Sequence, residues 1–351
     1  MNAKDWTPAD SRLQLNPLYR THRMKLGVMA FNCSHGSTIT TAEGAWELNW
    51  RDTREIATMA DRAGLDVLLP VGRWRGYGGT TNFNGSTYET FTWASSLAAA
   101  TEQIGLFATV HVPLFHPVMA AKMAATVDHV SNGRMIVGLG AGYWEPEHDL
   151  YGIHLGSVRE RAERLEESCQ ILRGLWTQQR LTFEGKHYTL KDAPAEPKPI
   201  QSRLPILVGG RGPERTLRTV ARHADMWNMP PGTDGIVPDQ WRALYEVLLQ
   251  RCDEVGRDPA EIETNVSLLV FVNERSQDAK RREGELAAAF GMSPEAAAPH
   301  CISGSPAEVV ERIKAFEAKG VQHFVFGLVP GFNIGTDDVA LFAAEAMPHL
   351  R

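Results

Sequence analysis

The sequence predicts a parallel (β/α)8 barrel. Three observations predict it: short apolar runs alternate with longer amphipathic stretches, the alternation repeats eight times, and the 351-residue chain is 43% apolar, enough for a large core. Parallel neighbours need a crossover between them, usually a helix, and eight such strands close around a filled interior. An open doubly wound sheet is the alternative reading of the same rhythm.

The strands expected, in order, are Lys25 to Ala30, Asp66 to Pro70, Gly105 to Val110, Met135 to Leu139, Pro205 to Val208, Asp225 to Asn228, Asn265 to Val272 and His323 to Leu328. Most are near-continuous apolar runs, as strands buried on both faces should be. Between them, apolar residues recur at three and four: Ile56, Met59 and Ala63; Met119, Met123, Val127 and Val130; Leu165, Cys169, Leu172 and Trp176; Val309, Ile313 and Phe316. Further helices are expected over Thr87 to Thr101, Pro213 to His223, Pro238 to Val255, Gln277 to Phe290 and Asp337 to Leu350. The stretch Leu181 to Pro205 breaks the rhythm, because its alternation around Glu184-Gly185-Lys186 reads as a hairpin followed by a Pro-rich connector. Residues 1–23 therefore form an N-terminal extension and 24–351 one barrel domain, with an insertion at about 178–204.

Composition narrows the function. With 36 Lys+Arg against 42 Asp+Glu, the net charge of −6 offers no broad basic surface for nucleic acid. The four cysteines are scattered without a C-x-x-C, which disfavours a zinc ribbon or redox pair and leaves reduced, buried thiols. The polar N-terminus lacks the apolar stretch of a signal peptide, and no run approaches a membrane span. A soluble, cytoplasmic protein without nucleic-acid or membrane partners is the expectation.

Barrel enzymes carry their chemistry at the C-terminal ends of the strands. Here those loops are rich in Gly, His and aromatic residues. They include Asn32 to Gly36 with His35, Val71 to Gly79 with Arg73, Trp74, Arg75 and Tyr77, His111 to Pro117, and Gly140 to His148. Strand five ends in Gly209-Gly210-Arg211-Gly212-Pro213. Its glycines can turn N–H groups toward one point, Pro213 suits a first helical position, and Arg211 would complete an anion cradle. A plain tight turn fits the same run. The helix from Ser157 carries Arg159, Arg161 and Arg164 among glutamates, mostly a solvated face with one Arg able to reach a phosphate. Gly138-Leu139-Gly140-Ala141-Gly142-Tyr143 has Tyr where a dinucleotide fingerprint needs Gly, so nicotinamide binding is unsupported. His111 and His116 lack the spacing of a metal site, and no metal is expected. What remains is an aromatic-lined mouth suited to a flat ligand carrying one phosphate.

At this level of detail the chain, from Met24 to Leu350, resembles the bacterial-luciferase-like flavin-dependent monooxygenases. The likeness rests on M-K-L-G-V at Met24, E-I-A-x-M-A-D-R-A-G-L-D, S-N-G-R-M-I-V-G-L-G-A-G-Y, L-R-G-L-W, F-E-G-K-H-Y, and P-I-L-V-G-G-R-G-P-E-R-T-L-R-x-V-A-R-H-A-D-M-W-N. The segments Arg75 to Thr81 and Tyr88 to Thr92 are closest to the pyrimidine-ring-opening enzymes, with sulfonate and sulfone oxygenases as neighbours.

The resemblance implies reduced FMN supplied by a separate NAD(P)H flavin reductase, dioxygen, a small pyrimidine-like or organosulfur substrate, and a homodimer or larger homo-oligomer. It puts Thr109 beside the flavin ring near dioxygen and Val71 at the ring's flank. Gly138, Ala141 and Gly142 would lie on the strand-four wall, with Glu147 in the following loop. Arg161, Gly209, Gly210 and Arg211 would hold the phosphate. His35, Arg73, Arg75 and His111 are candidates for gripping substrate or moving a proton, and Trp74, Tyr77, Phe115, Trp144 and Trp227 for excluding water. One departure stands out: the pyrimidine enzymes carry Asn where Gly138 stands, and this glycine is common in relatives using a deazaflavin. A deazaflavin-dependent dehydrogenase or reductase, or a non-catalytic flavin carrier, is the alternative.

Overall fold

The computed structural model describes residues 16, 18, 24–39, 46–232, 234–328 and 336–351. The chain runs β1 (Lys25–Met29), α1 (Trp50–Arg62), β2 (Val67–Leu69), α2 (Thr90–Ala98), β3 (Gly105–His111), α3 (Pro117–Val130), β4 (Met135–Gly140), α4 (Glu145–Leu150) and α5 (Val158–Thr177). The hairpin β5 (Leu181–Glu184) and β6 (Thr189–Ala193) follows, then β7 (Ile206–Gly209), α6 (Thr216–His223), β8 (Met226–Met229), α7 (Pro238–Val255), β9 (Glu263–Val272) and α8 (Ser276–Phe290). The remainder is α9 (Pro294–Ala297), β10 (Cys301–Gly304), α10 (Pro306–Glu317), β11 (His323–Leu328) and α11 (Thr336–Leu341).

All eight expected strands form, and they close. Parallel pairing runs β1, β2, β3, β4, β7, β8, β9, β11 and back to β1, so the open-sheet alternative falls. The antiparallel hairpin stands where the alternating segment placed it. Among the described residues, no helix is long and apolar enough to cross a membrane.

Side chains separate by parity along each strand. Met29, Val67, Leu69, Phe107, Ile136, Leu207, Met226 and Val325 pack together as the barrel's interior, while Leu26, Val28, Leu106, Val110, Val137, Val208 and Phe326 join the helices outside. Trp227 is on the second parity. It is fully buried, stacks on Trp241 of α7 with centroids 5.8 Å apart, and gives its indole N–H to Gly210 O, so its expected place on the rim is corrected.

Leu18, from the N-terminal extension, lies within the interior cluster and is 1% exposed. Asn16 fixes it there: its amide donates to Met135 O at 3.3 Å and Gln201 Oε1 at 2.8 Å, while its Oδ1 accepts from Leu18 N–H. Met135 opens β4, so this segment seals the N-terminal floor of the barrel, opposite the loops expected to carry chemistry. Leu18→Ala should lower the unfolding free energy by about 2–5 kcal/mol in urea titration, the range for deleting a buried leucine side chain. A change under about 1 kcal/mol would mean the floor does not depend on it.

Four helix and strand expectations need correction. Helix α2 starts at Thr90 rather than Thr87, because the Glu89 carboxylate accepts from Phe91 and Thr92 N–H and Thr87 Oγ1 is donated to Arg73 O in the preceding loop. Helix α6 starts at Thr216 rather than Pro213, its first backbone bond running from Leu217 N–H to Gly212 O. The last helix is α-helical only to Leu341, then widens over Phe342–Ala346 and tightens over Met347–His349, where Pro348 has no N–H to give. Strand β10 was not expected. It pairs with Leu269–Val272, the upper part of a long β9 whose lower residues serve the barrel seam with β11.

Candidate functional site at the barrel mouth

Val71 follows β2 and is held from both sides by the buried Asn32. The Asn32 Oδ1 accepts from Val71 N–H at 2.8 Å, and its amide donates to Val71 O at 3.0 Å and Tyr88 O at 3.3 Å. Asn32 stood in the loop sequence without an assigned role; the signal is an Asn in the turn three residues past the end of β1, beyond Ala30 with its left-handed φ of 71°.

Thr109, near the end of β3, lies in register with Gly138 of β4, and His111 with Gly140. A Cβ on Gly138 would stand 2.8 Å from Thr109 Oγ1, one on Gly140 2.9 Å from His111 Cδ2, and one on Gly72 2.7 Å from Thr109 O. These glycines therefore leave a flat strip around the two side chains. The Thr109 carbonyl is occupied by Thr90 Oγ1 at 3.0 Å, but its own hydroxyl is buried with no hydrogen-bond partner among the described residues. Such a group in a native site usually answers to something bound. Ala141 and Gly142, with φ 78°, continue the strip at the half-exposed rim.

Beside the strip, Arg73 is paired with Glu147, Nη1 to Oε2 at 3.1 Å, with side-chain exposures of 3% and 0%. The other carboxylate oxygen accepts from Trp74 N–H at 2.8 Å. Both oxygens of Glu147 thus accept from protein groups of the loop after β2. Arg73 Nη2 lies 3.3 Å from His111 Nδ1, and the guanidinium carbon lies 4.6 Å from the centroid of Tyr143, within cation–π range. Burial, with the Arg73 charge beside it, pushes the His111 imidazole down to about 3, so the ring is neutral. His148 gives its Nδ1 proton to Trp144 O at 2.9 Å. Tyr77 stacks between Phe83 and Trp144, with its hydroxyl 2.5 Å from that of Tyr143, and Trp74 packs edge-on to Phe115 at 5.7 Å. Four of the five rim aromatics are therefore where the sequence put them. His35 sits in a left-handed turn with φ 60°, its Nδ1 buried without a partner among the described residues.

The anion end is more selective than its glycines suggested. Gly210 N–H is already donated to Asn228 O at 3.0 Å, so it cannot cradle a ligand; the N–H groups of Arg211 and Gly212 make no hydrogen bond among the described residues. The Arg211 side chain is paired with Asp234 at 2.8 Å and holds that carboxyl below its usual range. On α5, Arg159 pairs with Glu163 and Arg164 with Glu160, whereas half-buried Arg161 has no partner among the described residues. Glu166 of α5 meets Arg222 and His223 of α6, so the two helices run side by side.

Residues 24–293 match the family described as luciferase-like monooxygenase. The chain is 31% identical over 258 residues to the pyrimidine monooxygenase RutA of Acinetobacter baylyi, a match covering 73% of this chain and 68% of that one. Its fold is similar to that of monooxygenase RslO1 from Streptomyces bottropensis, with a TM-score of 0.77, 20% identity, and coverage of 93% of this chain and 100% of the other. An F420-dependent secondary alcohol dehydrogenase is also similar in fold, with a TM-score of 0.76, 18% identity, and coverage of 94% and 100%.

Proposed function

The chain belongs to the luciferase-like monooxygenase family, and from that premise we propose that it is an FMN-dependent monooxygenase whose reduced flavin comes from a separate reductase. The observation that carries the reading is the orphaned Thr109 hydroxyl at the edge of a glycine strip, which fits a planar ring lying on the strip with a free donor beside it for dioxygen. When bound, reduced FMN supplies the electrons that activate dioxygen. The chain's own part is placement. Val71, pinned by Asn32, and the strand-four glycines receive the ring; Thr109 Oγ1 donates beside it; and Arg161, with the Arg211 and Gly212 N–H groups, receives the phosphate. The aromatic rim of Trp74, Tyr77, Phe115 and Trp144 keeps water out, and His111 meets a small organic substrate.

Gly138 favours the rival reading, a deazaflavin-dependent dehydrogenase, because it adds no polar group opposite Thr109. Anaerobic titration with reduced FMN and with reduced deazaflavin, followed by admission of air, separates the two. Oxygen-consuming turnover is expected with FMN; tight deazaflavin binding with hydride transfer indifferent to air would overturn the proposal. In the same titration Arg161→Ala should weaken FMN by about ten- to a hundredfold, the worth of one charge-assisted contact, and leave phosphate-free riboflavin unchanged. Equal losses for both ligands would remove Arg161 from the phosphate site.

A further inference from the structure

Arg73 reaches the mouth with its charge already cancelled. Its pairing with Glu147 is almost fully buried, and a guanidinium or a carboxylate left alone at such a place would be strongly unfavourable, so the two are present as a neutral unit. His111 faces Arg73 Nη2 with both ring nitrogens, Nδ1 at 3.3 Å and Nε2 at 3.5 Å, and adds no charge; the neutral ring accepts through one nitrogen and keeps an N–H on the other. Tyr143, Tyr77 and Trp144 surround the guanidinium at 4.6, 5.7 and 5.7 Å from its carbon to their centroids. Arg75 stands over Trp144 at 5.1 Å and donates to Pro146 O. A sulfonate or carboxylate entering beside His111 would give up its hydration and find the Arg73 charge already matched, unless it displaced Glu147; Arg75, on the outer side of Trp144, is common to every variant compared below. A flat, uncharged molecule with a carbonyl meets an imidazole N–H and aromatic faces at no such cost.

We propose that Glu147 is the specificity-determining residue of this mouth: by neutralising Arg73 it admits uncharged flat carboxamides and rejects carboxylates and sulfonates of the same shape. The proposal rests on the mouth being the substrate site of the monooxygenase read above. It makes Glu147 a positioning residue that acts through Arg73.

Calorimetric titration of the flavin-free protein with benzamide, benzoate and benzenesulfonate tests it. The wild type should bind benzamide at least about tenfold more tightly than either anion. Glu147→Gln, which leaves Arg73 uncompensated, should reverse that order. The double variant Arg73→Gln, Glu147→Gln restores neutrality and should return the wild-type order, which keeps the test decisive where the single variant does not fold. Equal binding of amide and anions by the wild type, an unchanged ratio in Glu147→Gln, a double variant that prefers anions, or no binding of any probe would each overturn the assignment. None of these readouts involves flavin or oxygen, so failure here is distinct from failure of the FMN titration.

Discussion

Thr109→Val should slow substrate oxygenation about a hundredfold while leaving affinity for reduced FMN within about twofold. The substitution keeps the branched shape of the side chain and removes one hydroxyl. That hydroxyl has no partner among the described residues, and the Thr109 carbonyl, which does have one, is untouched. Loss of a single preorganised donor at a reacting centre typically lowers turnover by about 10²–10³. Its loss here breaks no intramolecular hydrogen bond, and removing a buried unsatisfied polar group relieves a desolvation cost of about 1–3 kcal/mol. The variant should therefore be as stable as the wild type or more so, an unusual pairing of gained stability with lost rate. Oxygen uptake and the thermal midpoint, measured on the same preparation with Thr109→Ser as the rescue, check both halves. Unchanged oxygenation would place the reacting oxygen elsewhere.

The largest structural effect is expected at Arg134. Its side chain is 5% exposed and caps the C-terminal end of α2 from outside that helix. Nη2 donates to Ala98 O and Thr101 O, both at 2.9 Å, Nη1 to Ile104 O at 2.7 Å and Thr101 Oγ1 at 3.0 Å, and Nε to Ser131 O at 2.7 Å. Arg134→Met fills much of the same space but leaves four carbonyls without these donors. At about 1 kcal/mol or more for each stranded acceptor, discounted for their proximity, the loss should be about 3–5 kcal/mol in guanidinium unfolding. Since Arg134 directly precedes β4 at the floor of the barrel, the folded fraction should bind flavin as the wild type does. A loss below about 1 kcal/mol would show that water replaces the guanidinium.

The strands were readable because a closed parallel barrel buries both faces of each, which leaves apolar runs that nothing else along the chain imitates. Strand β10 escaped for the opposite reason: Cys301-Ile302-Ser303-Gly304 is four residues long, half of them small and polar, and it pairs only with the far end of β9. The glycine strip and Thr109 were legible through resemblance, since they lie on strands whose register is local. The Arg73–Glu147 pair was not, because its members are 74 positions apart and charge patterning only reaches neighbours on one helix. Arg161 was singled out from three similar arginines by resemblance; on α5 glutamates one turn away occupy the other two. Trp227 stands on the helix side and not at the rim because the inward parity of Met226 and Asn228 on the same strand turns it outward.

The seam between β1 and β11 has a consequence for how the chain is made. Lys25 pairs with His323, so β1 waits for β11 before the ring can close, and Leu18 can complete its place among Phe107, Leu207 and Val325 only then. Until β11 is made, β1 presents an unpaired edge, and ring closure is a long-range event of the kind that slows folding and exposes nascent chains to association. Yield from a ribosome should accordingly depend more on what shields that edge than on the strength of any later contact.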